Sequence, residues 1–236
     1  MGNFAAKVSG LSVTRGGNQI LSDLSFEIAP GELVALVGSS GAGKSTLLQA
    51  LAGLVEPSSG QIKIQGSGKI DTAIAFQDSV LLPWLSVQEN VEFGFEFAAI
   101  SEAVKLPKAE LRQKSSALLE RFGIGDLATR KVSELSGGQA QRVGIARAAI
   151  VDPNLLLLDE PFSAVDAVTR KSLQRWIKSV VSELSLTAVL VTHDIEEAVS
   201  IASRVLVLRS SGSELIEYHP DRFDSADLKQ QITFQI

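Results

Sequence analysis

The chain has 236 residues, 45% hydrophobic and 21% charged, the balance of a packed globular protein rather than a disordered one. A formal net charge of −5 argues against a nucleic-acid partner, because phosphate backbones call for basic excess. The absence of cysteine excludes disulfides and thiolate metal sites and fits a cytoplasmic protein.

The start, Met1-Gly2-Asn3-Phe4-Ala5-Ala6, lacks the basic and apolar stretches of a secretion signal, and Ala6 stands where N-myristoylation wants Ser or Thr. Apolar and polar residues then alternate around Arg15-Gly16-Gly17-Asn18, which predicts antiparallel strands joined by a tight turn. Leu33–Val37 is a short apolar run. Like Leu155–Leu158 and Ala188–Val191, it is far shorter than the roughly 18–20 residues that span a bilayer. All three predict strands buried on both faces of a parallel sheet. Lys44–Leu54 has helical spacing and stops before Pro57.

Strands are expected near Gln61–Ile64 and Thr72–Phe76. Helical patterns follow over Val87–Phe97 and, after Pro107, Lys108–Phe122, with no convincing strand among them. The α/β rhythm returns with strand Leu155–Leu158, helix Ala167–Leu184, strand Thr187–Val191, helix Ile195–Ala202 and strand Val205–Leu208. In the tail only a short helix is expected. The expected architecture is a single α/β domain over 1–236. Its core covers about 1–78 and 153–210, an inserted α-helical subdomain about 79–152, and a short tail 211–236.

Gly38-Ser39-Ser40-Gly41-Ala42-Gly43-Lys44-Ser45, with Thr46 after it, matches the P-loop pattern between a strand and a helix. Glycines let backbone N–H groups turn inward around phosphate oxygens, and the helix N-terminus adds partial positive charge. Lys44 is suited to the β/γ-phosphates and Ser45 to Mg²⁺, so ATP and Mg²⁺ are the expected ligands. Asp159 and Glu160 follow the apolar run Leu155–Leu158, at the carboxyl end of a strand, where open α/β sheets place their ligands. Asp159 is expected to hold Mg²⁺, and Glu160 to orient and polarise the attacking water as a general base.

Leu135-Ser136-Gly137-Gly138-Gln139, just before that strand, resembles the signature sequence of ABC ATPases. The resemblance runs from about Leu11 to Leu208. It includes Gln77 after the strand ending at Phe76 (Q-loop), Ser163-Ala164-Val165-Asp166 (D-loop) and His193 after Thr192 (H-loop). It implies a P-loop NTPase (RecA-like) core with an N-terminal antiparallel β part. It also implies that Ser136, Gly137, Gly138 and Gln139, with Asp166, act in trans on nucleotide held by the P-loop of a second subunit, in a homodimer or heterodimer. Gln77 would reach the Mg²⁺/γ-phosphate region, and His193 would hold Glu160 and the water. Asp166 is equally well described as a helix N-cap.

Family members stack adenine on an aromatic residue upstream of the P-loop, where this chain has Arg15 between Thr14 and Gly16. A guanidinium can stack on a base; an exposed hairpin arginine is the other reading. The segment Phe76–Val91 and the run Asp159–Arg170 are similar to those of nitrate, sulfonate and taurine importer ATPases. That similarity implies a peripheral ATPase on the cytoplasmic face of the membrane. It would be held by a permease docking near Gln77–Val87 and served by an extracytoplasmic solute-binding protein. Leu81, Leu82, Pro83 and Trp84 suit such a contact, although they could equally pack inside the insert. An exporter ATPase and a soluble ABC ATPase are the alternatives. His219 matches no motif.

Overall fold

The computed structural model describes residues 4–66, 70–98, 106–210 and 212–236. Strands β1 (Ala6–Arg15) and β2 (Asn18–Ile28) form the expected hairpin, with Arg15 opposite Asn18. Gly16 and Gly17 both take positive φ, 55° and 81°, the left-handed geometry that two-residue hairpin turns need. β4 (Ser59–Ile64) pairs antiparallel with the other edge of β1, giving the order β2-β1-β4.

The second sheet has the order β5 (Ile70–Ala75), β6 (Pro153–Asp159), β7 (Ala188–Val191), β3 (Leu33–Val37), β8 (Arg204–Leu208), β9 (Leu215–Tyr218). β3, β5, β6, β7 and β8 run parallel. Every residue of β3 and β7 is buried, which is why their sequences are unbroken apolar runs rather than alternations. Side chains on the two faces enter different cores. Val34, Leu36, Leu155, Leu157 and Val189 pack towards the antiparallel sheet and helix α1 (Lys44–Leu51). Ala35, Val37, Leu156, Leu158 and Leu190 pack towards the helices on the other side.

Those helices are α2 (Val87–Ala98), α3 (Lys108–Arg121), α4 (Gly137–Ala149), α5 (Ala167–Glu183), α6 (Ile195–Ile201) and α7 (Ser225–Thr233). The first three lie between β5 and β6 in the chain. Val91, Phe95, Leu119 and Phe122 of that stretch belong to the same apolar cluster as the sheet, with α4 packed against β5 and β6. Three details depart from expectation. α1 ends at Leu51, three residues early, because Gly53 turns the chain at φ 70°. Phe76 lies beyond the end of β5 with 44% of its surface exposed. The tail adds β9 (Leu215–Tyr218), antiparallel to β8, an edge strand too short and too exposed to show an apolar pattern.

Candidate active site

The parallel strands all point the same way, so the loops at their carboxyl ends meet along one edge. Read across β5-β6-β7-β3, that edge carries Gln77, then Asp159 and Glu160, then His193, then the loop Gly38–Gly43. Residues distant in sequence are thus neighbours by strand order, at the edge where open α/β sheets bind ligands.

The loop's shape follows from its glycines. A Cβ at Gly38 would lie 2.4 Å from the Leu208 carbonyl oxygen, so only glycine lets the loop pass the end of β8. Gly43, at φ 102°, turns the chain into α1 in a backbone region that other residues avoid. Lys44 is folded back into the loop, its Nζ donating to the carbonyl oxygens of Gly38 at 2.7 Å and Ser39 at 2.9 Å. Burial lowers its pKa, and the charges of Glu160 and Asp159 work against that. Thr46 is buried in the first turn of α1, whereas Ser40, Gly41 and Ser45 are exposed.

Asp159 closes β6, its pKa pushed up first by burial and next by the charge of Glu160, with Lys44 pulling it down. Glu160 has φ 42°, the left-handed region, which costs a non-glycine residue about 1–3 kcal/mol. Its backbone is held there by N–H donation to Val191 O at 3.0 Å and by the Ser163 hydroxyl donating to its carbonyl at 2.9 Å. The strained turn aims the Glu160 side chain at His193, whose Nδ1 lies 3.2 Å from Oε2.

Ser136, Gly137, Gly138 and Gln139 occupy a second surface. Ser136 caps α4: its hydroxyl accepts the Gln139 N–H, and its own N–H donates to Gln139 Oε1. A Cβ on Gly138 would meet Thr169 Cγ2 at 2.4 Å, and one on Gly137 would come 3.3 Å from Ala164 O. The signature thus sits against the D-loop and the start of α5. Asp166 is the N-cap of α5, its carboxylate accepting from Val168 N and Thr169 N at 3.0 Å. Ser136, Gly138, Gln139, Arg142 and Thr169 line part of an open polar hollow of about 220 Å³. Arg15, on the hairpin, donates to Gln49 of α1 at 2.7 Å, an exposed guanidinium tethered to the P-loop helix.

Gln77 is exposed just past β5. After it the backbone is pinned from both sides. Arg147 of α4 donates to Ser79 O at 2.7 Å and Val80 O at 2.9 Å. Asn90 of α2 accepts from Leu82 N at 2.7 Å and donates to Leu82 O and Ser86 O. The backbone is fixed, yet Val80 and Trp84 stay 65% and 68% exposed, so Trp84 does not pack inside the helices. Sequence reading passed over Thr192, Asp194 and Glu197, which hold the turn around His193; an acid-rich helix start after Thr192-His193-Asp194 was the available signal.

The loop suits its expected ligands. It offers the Lys44 ammonium and a helix start to phosphate, and Ser45 and Asp159 carry the oxygen donors that a hard divalent cation takes. A phosphate-binding loop beside two acids and a histidine on adjacent parallel strand ends defines a P-loop NTPase.

Comparison with known proteins narrows that class: the chain belongs to the ABC transporter family, which matches residues 21–163. It is 42% identical over 214 residues to the taurine import ATP-binding protein TauB of Yersinia pestis bv. Antiqua (strain Antiqua), covering 89% of this chain and 82% of that protein. It is 46% identical over 197 residues to the aliphatic sulfonates import ATP-binding protein SsuB 1 of Xanthomonas axonopodis pv. citri (strain 306), with 82% and 76% covered. Among solved structures, cbiO1 from Clostridium perfringens, part of the ABC transporter complex cbiONQ, matches with TM-score 0.83 and 28% identity, over 100% of this chain and 96% of that one. A dimeric ATP-binding cassette in a post-hydrolysis state bound to ADP and Pi matches with TM-score 0.73 and 29% identity, over 91% and 98%. ATP-binding subunits of this family are ATPases, and this chain is one of them.

Proposed function

We propose that the chain powers the import of a small solute, such as nitrate, a sulfonate, taurine or a related small molecule, by hydrolysing ATP as a dimer beneath a membrane permease. The observation that carries the chemistry is the Glu160–His193 pair, set on the strand ends beside Lys44 and Asp159. The transport reading is supported by relatives whose names specify import of taurine, aliphatic sulfonates and sulfate/thiosulfate. Among the described residues no helix is long and apolar enough to cross a membrane; this reading places the permease in a separate subunit.

Lys44 and the amides of Ser39 to Thr46, with Gly38 opening the loop, hold the β- and γ-phosphates, and Arg15 lies against the base. Ser45 and Asp159 hold Mg²⁺, with Gln77 reaching the same region from β5. The cation, when bound, draws negative charge off the phosphate oxygens. Glu160 accepts the proton of the attacking water, and His193 fixes the direction of its carboxylate. In a second copy, or a near-copy, Ser136, Gly137, Gly138 and Gln139 face that γ-phosphate across the interface, with Asp166 beside them. Loss of the phosphate removes what joins the two subunits.

Residues 79–152 act as the unit that carries this change outward, and the Gln77–Val87 segment is where the permease docks. The dimer then sits on the cytoplasmic face of the membrane, and an extracytoplasmic solute-binding protein supplies the cargo. Glu160→Gln should leave nucleotide affinity within about twofold of wild type while cutting turnover by about 10²–10⁴-fold. Equilibrium binding beside steady-state hydrolysis measures both; undiminished turnover rejects the assignment. The transport claim is tested by isolating the complex from native membranes and screening its solute-binding protein against taurine, alkanesulfonates, sulfate and nitrate. Recovery of the chain without any membrane subunit rejects it.

A further inference from the structure

Glu197, on α6, keeps only 4% of its surface exposed, a place where a carboxylate needs partners. Its Oε2 accepts the Thr192 hydroxyl at 2.5 Å, and Oε1 lies 3.7 Å from Nε of Arg170. The Asp194 N–H donates to the same Thr192 hydroxyl at 3.0 Å. The residues on both sides of His193 are therefore gathered on one oxygen that Glu197 holds. Arg170, in the first turn of α5, also reaches backwards, its Nη2 donating to Val165 O at 3.4 Å, inside the D-loop. Arg170 Nε is buried and has no hydrogen-bond partner, so the Glu197 carboxylate supplies its counter-charge. Burial pushes the Glu197 carboxyl up, while the Thr192 hydroxyl and the Arg170 charge pull it back.

One buried carboxylate thus bridges the turn at His193 and the D-loop. The turn of His193 faces the chain's own Glu160, and the D-loop faces outward beside Val168, which is 83% exposed. A surface ion pair at such a position would contribute little. This one is enclosed on the Glu197 side, and removing one partner leaves the other's charge uncompensated.

We propose that Glu197 is a positioning residue: through Thr192 and Arg170 it fixes the His193 turn to the D-loop, so that the Glu160–His193 pair keeps its place only while the D-loop keeps its own. The proposal rests on the roles given above to Glu160 and His193. Glutamine at 197 can still accept the Thr192 hydroxyl, but it cannot balance Arg170. Asparagine would be too short to span the two groups.

The test compares the full-length chain with Glu197→Gln, His193→Ala and the double variant. In nucleotide-free protein, histidine ring resonances are read by NMR. The chain has two histidines, so His219 is an internal control. The His193 resonances should shift and broaden in Glu197→Gln while those of His219 stay in place. With MgATP, kcat should fall about ten- to a hundredfold with KM within about twofold, since misplacing a reacting group by an ångström can cost about 10²-fold. In the His193→Ala background, Glu197→Gln should add no further loss, because both act through the same side chain.

Unmoved His193 resonances, an unchanged kcat, or the same fold-loss with and without His193 each overturn the proposal. A wild-type rate for His193→Ala overturns the reading of the site itself; a slow His193→Ala beside a fast Glu197→Gln overturns only the role of Glu197. Should Glu197→Gln lose its melting transition, Arg170→Gln breaks the same pair from its more exposed end and is judged by the same signals.

Discussion

At the scale of single residues, Asp159 stands where burial and a neighbouring carboxylate both disfavour its charge. Its pKa is raised above the ordinary 3.8, by burial first and Glu160 next, while Lys44 pulls it the other way. A carboxyl that keeps its proton to higher pH when folded makes folding take up a proton between the unfolded and the folded value. Its unfavourable contribution is therefore full above the raised pKa and is relieved as pH falls through it. Asp159→Asn, neutral at every pH, should raise the melting temperature of the nucleotide-free protein at neutral pH by on the order of 2 °C. The gain should shrink on acidification, and Mg²⁺-dependent hydrolysis should be lost. Melting curves across pH decide the matter; a lower melting temperature at neutral pH would show that Asp159 is stabilising instead. Glu160 at φ 42° is a backbone counterpart of the same trade, strain kept where a side chain must be aimed.

At the scale of elements, contacts between backbones matter more than side-chain volume. Gly94 of α2 faces α4 so closely that a Cβ would lie 2.2 Å from Arg147 O and 2.9 Å from Ile150 Cγ2. Alanine there would gain about 1 kcal/mol of helix propensity. It would also force apart two helices whose contact atom is a backbone carbonyl, at a cost of about 1–3 kcal/mol. The collision should win, so Gly94→Ala should lower the melting temperature by a few degrees. Thermal denaturation measures this, and a rise would show that α2 and α4 separate freely.

How legible each element was follows the same physics. β3, β6 and β7 were plain in the sequence because burial on both faces leaves unbroken apolar runs. The P-loop and the acids after β6 were plain because phosphate chemistry fixes residue type and spacing together. β9 was hidden because a four-residue edge strand with half-buried side chains has no period to detect. Glu197 was hidden for another reason: an acid in the first turn of a helix after an Asp N-cap is what helix electrostatics alone would place there. Only three-dimensional packing brings it to Arg170 of a different helix.

At the scale of the whole molecule, the sheet edge and the Ser136–Gln139 turn are separate surfaces of one chain. In the proposed chemistry each chain supplies both halves of the site, and the halves meet across two copies. Ser136→Arg should therefore leave nucleotide binding to the monomer within about twofold while stopping hydrolysis, and a large weakening of monomer binding would contradict action in trans. Glu160→Gln should sediment as a dimer with MgATP and as a monomer without it. Persistence as a monomer under saturating MgATP, with and without the permease, would remove the basis of the mechanism.

The bonds from Arg147 and Asn90 to the backbone of residues 79–86 bear on how a permease would be gripped. Val80 and Trp84 stand on main chain held by those side-chain bonds, so an incoming helix would spend less free energy on ordering its receptor than it would on an untethered loop. Such a joint has little slack. A small tilt of the segment would be delivered to whatever rests against the indole rather than absorbed in the loop, and stiffness, more than area, would set how faithfully each stroke is passed on.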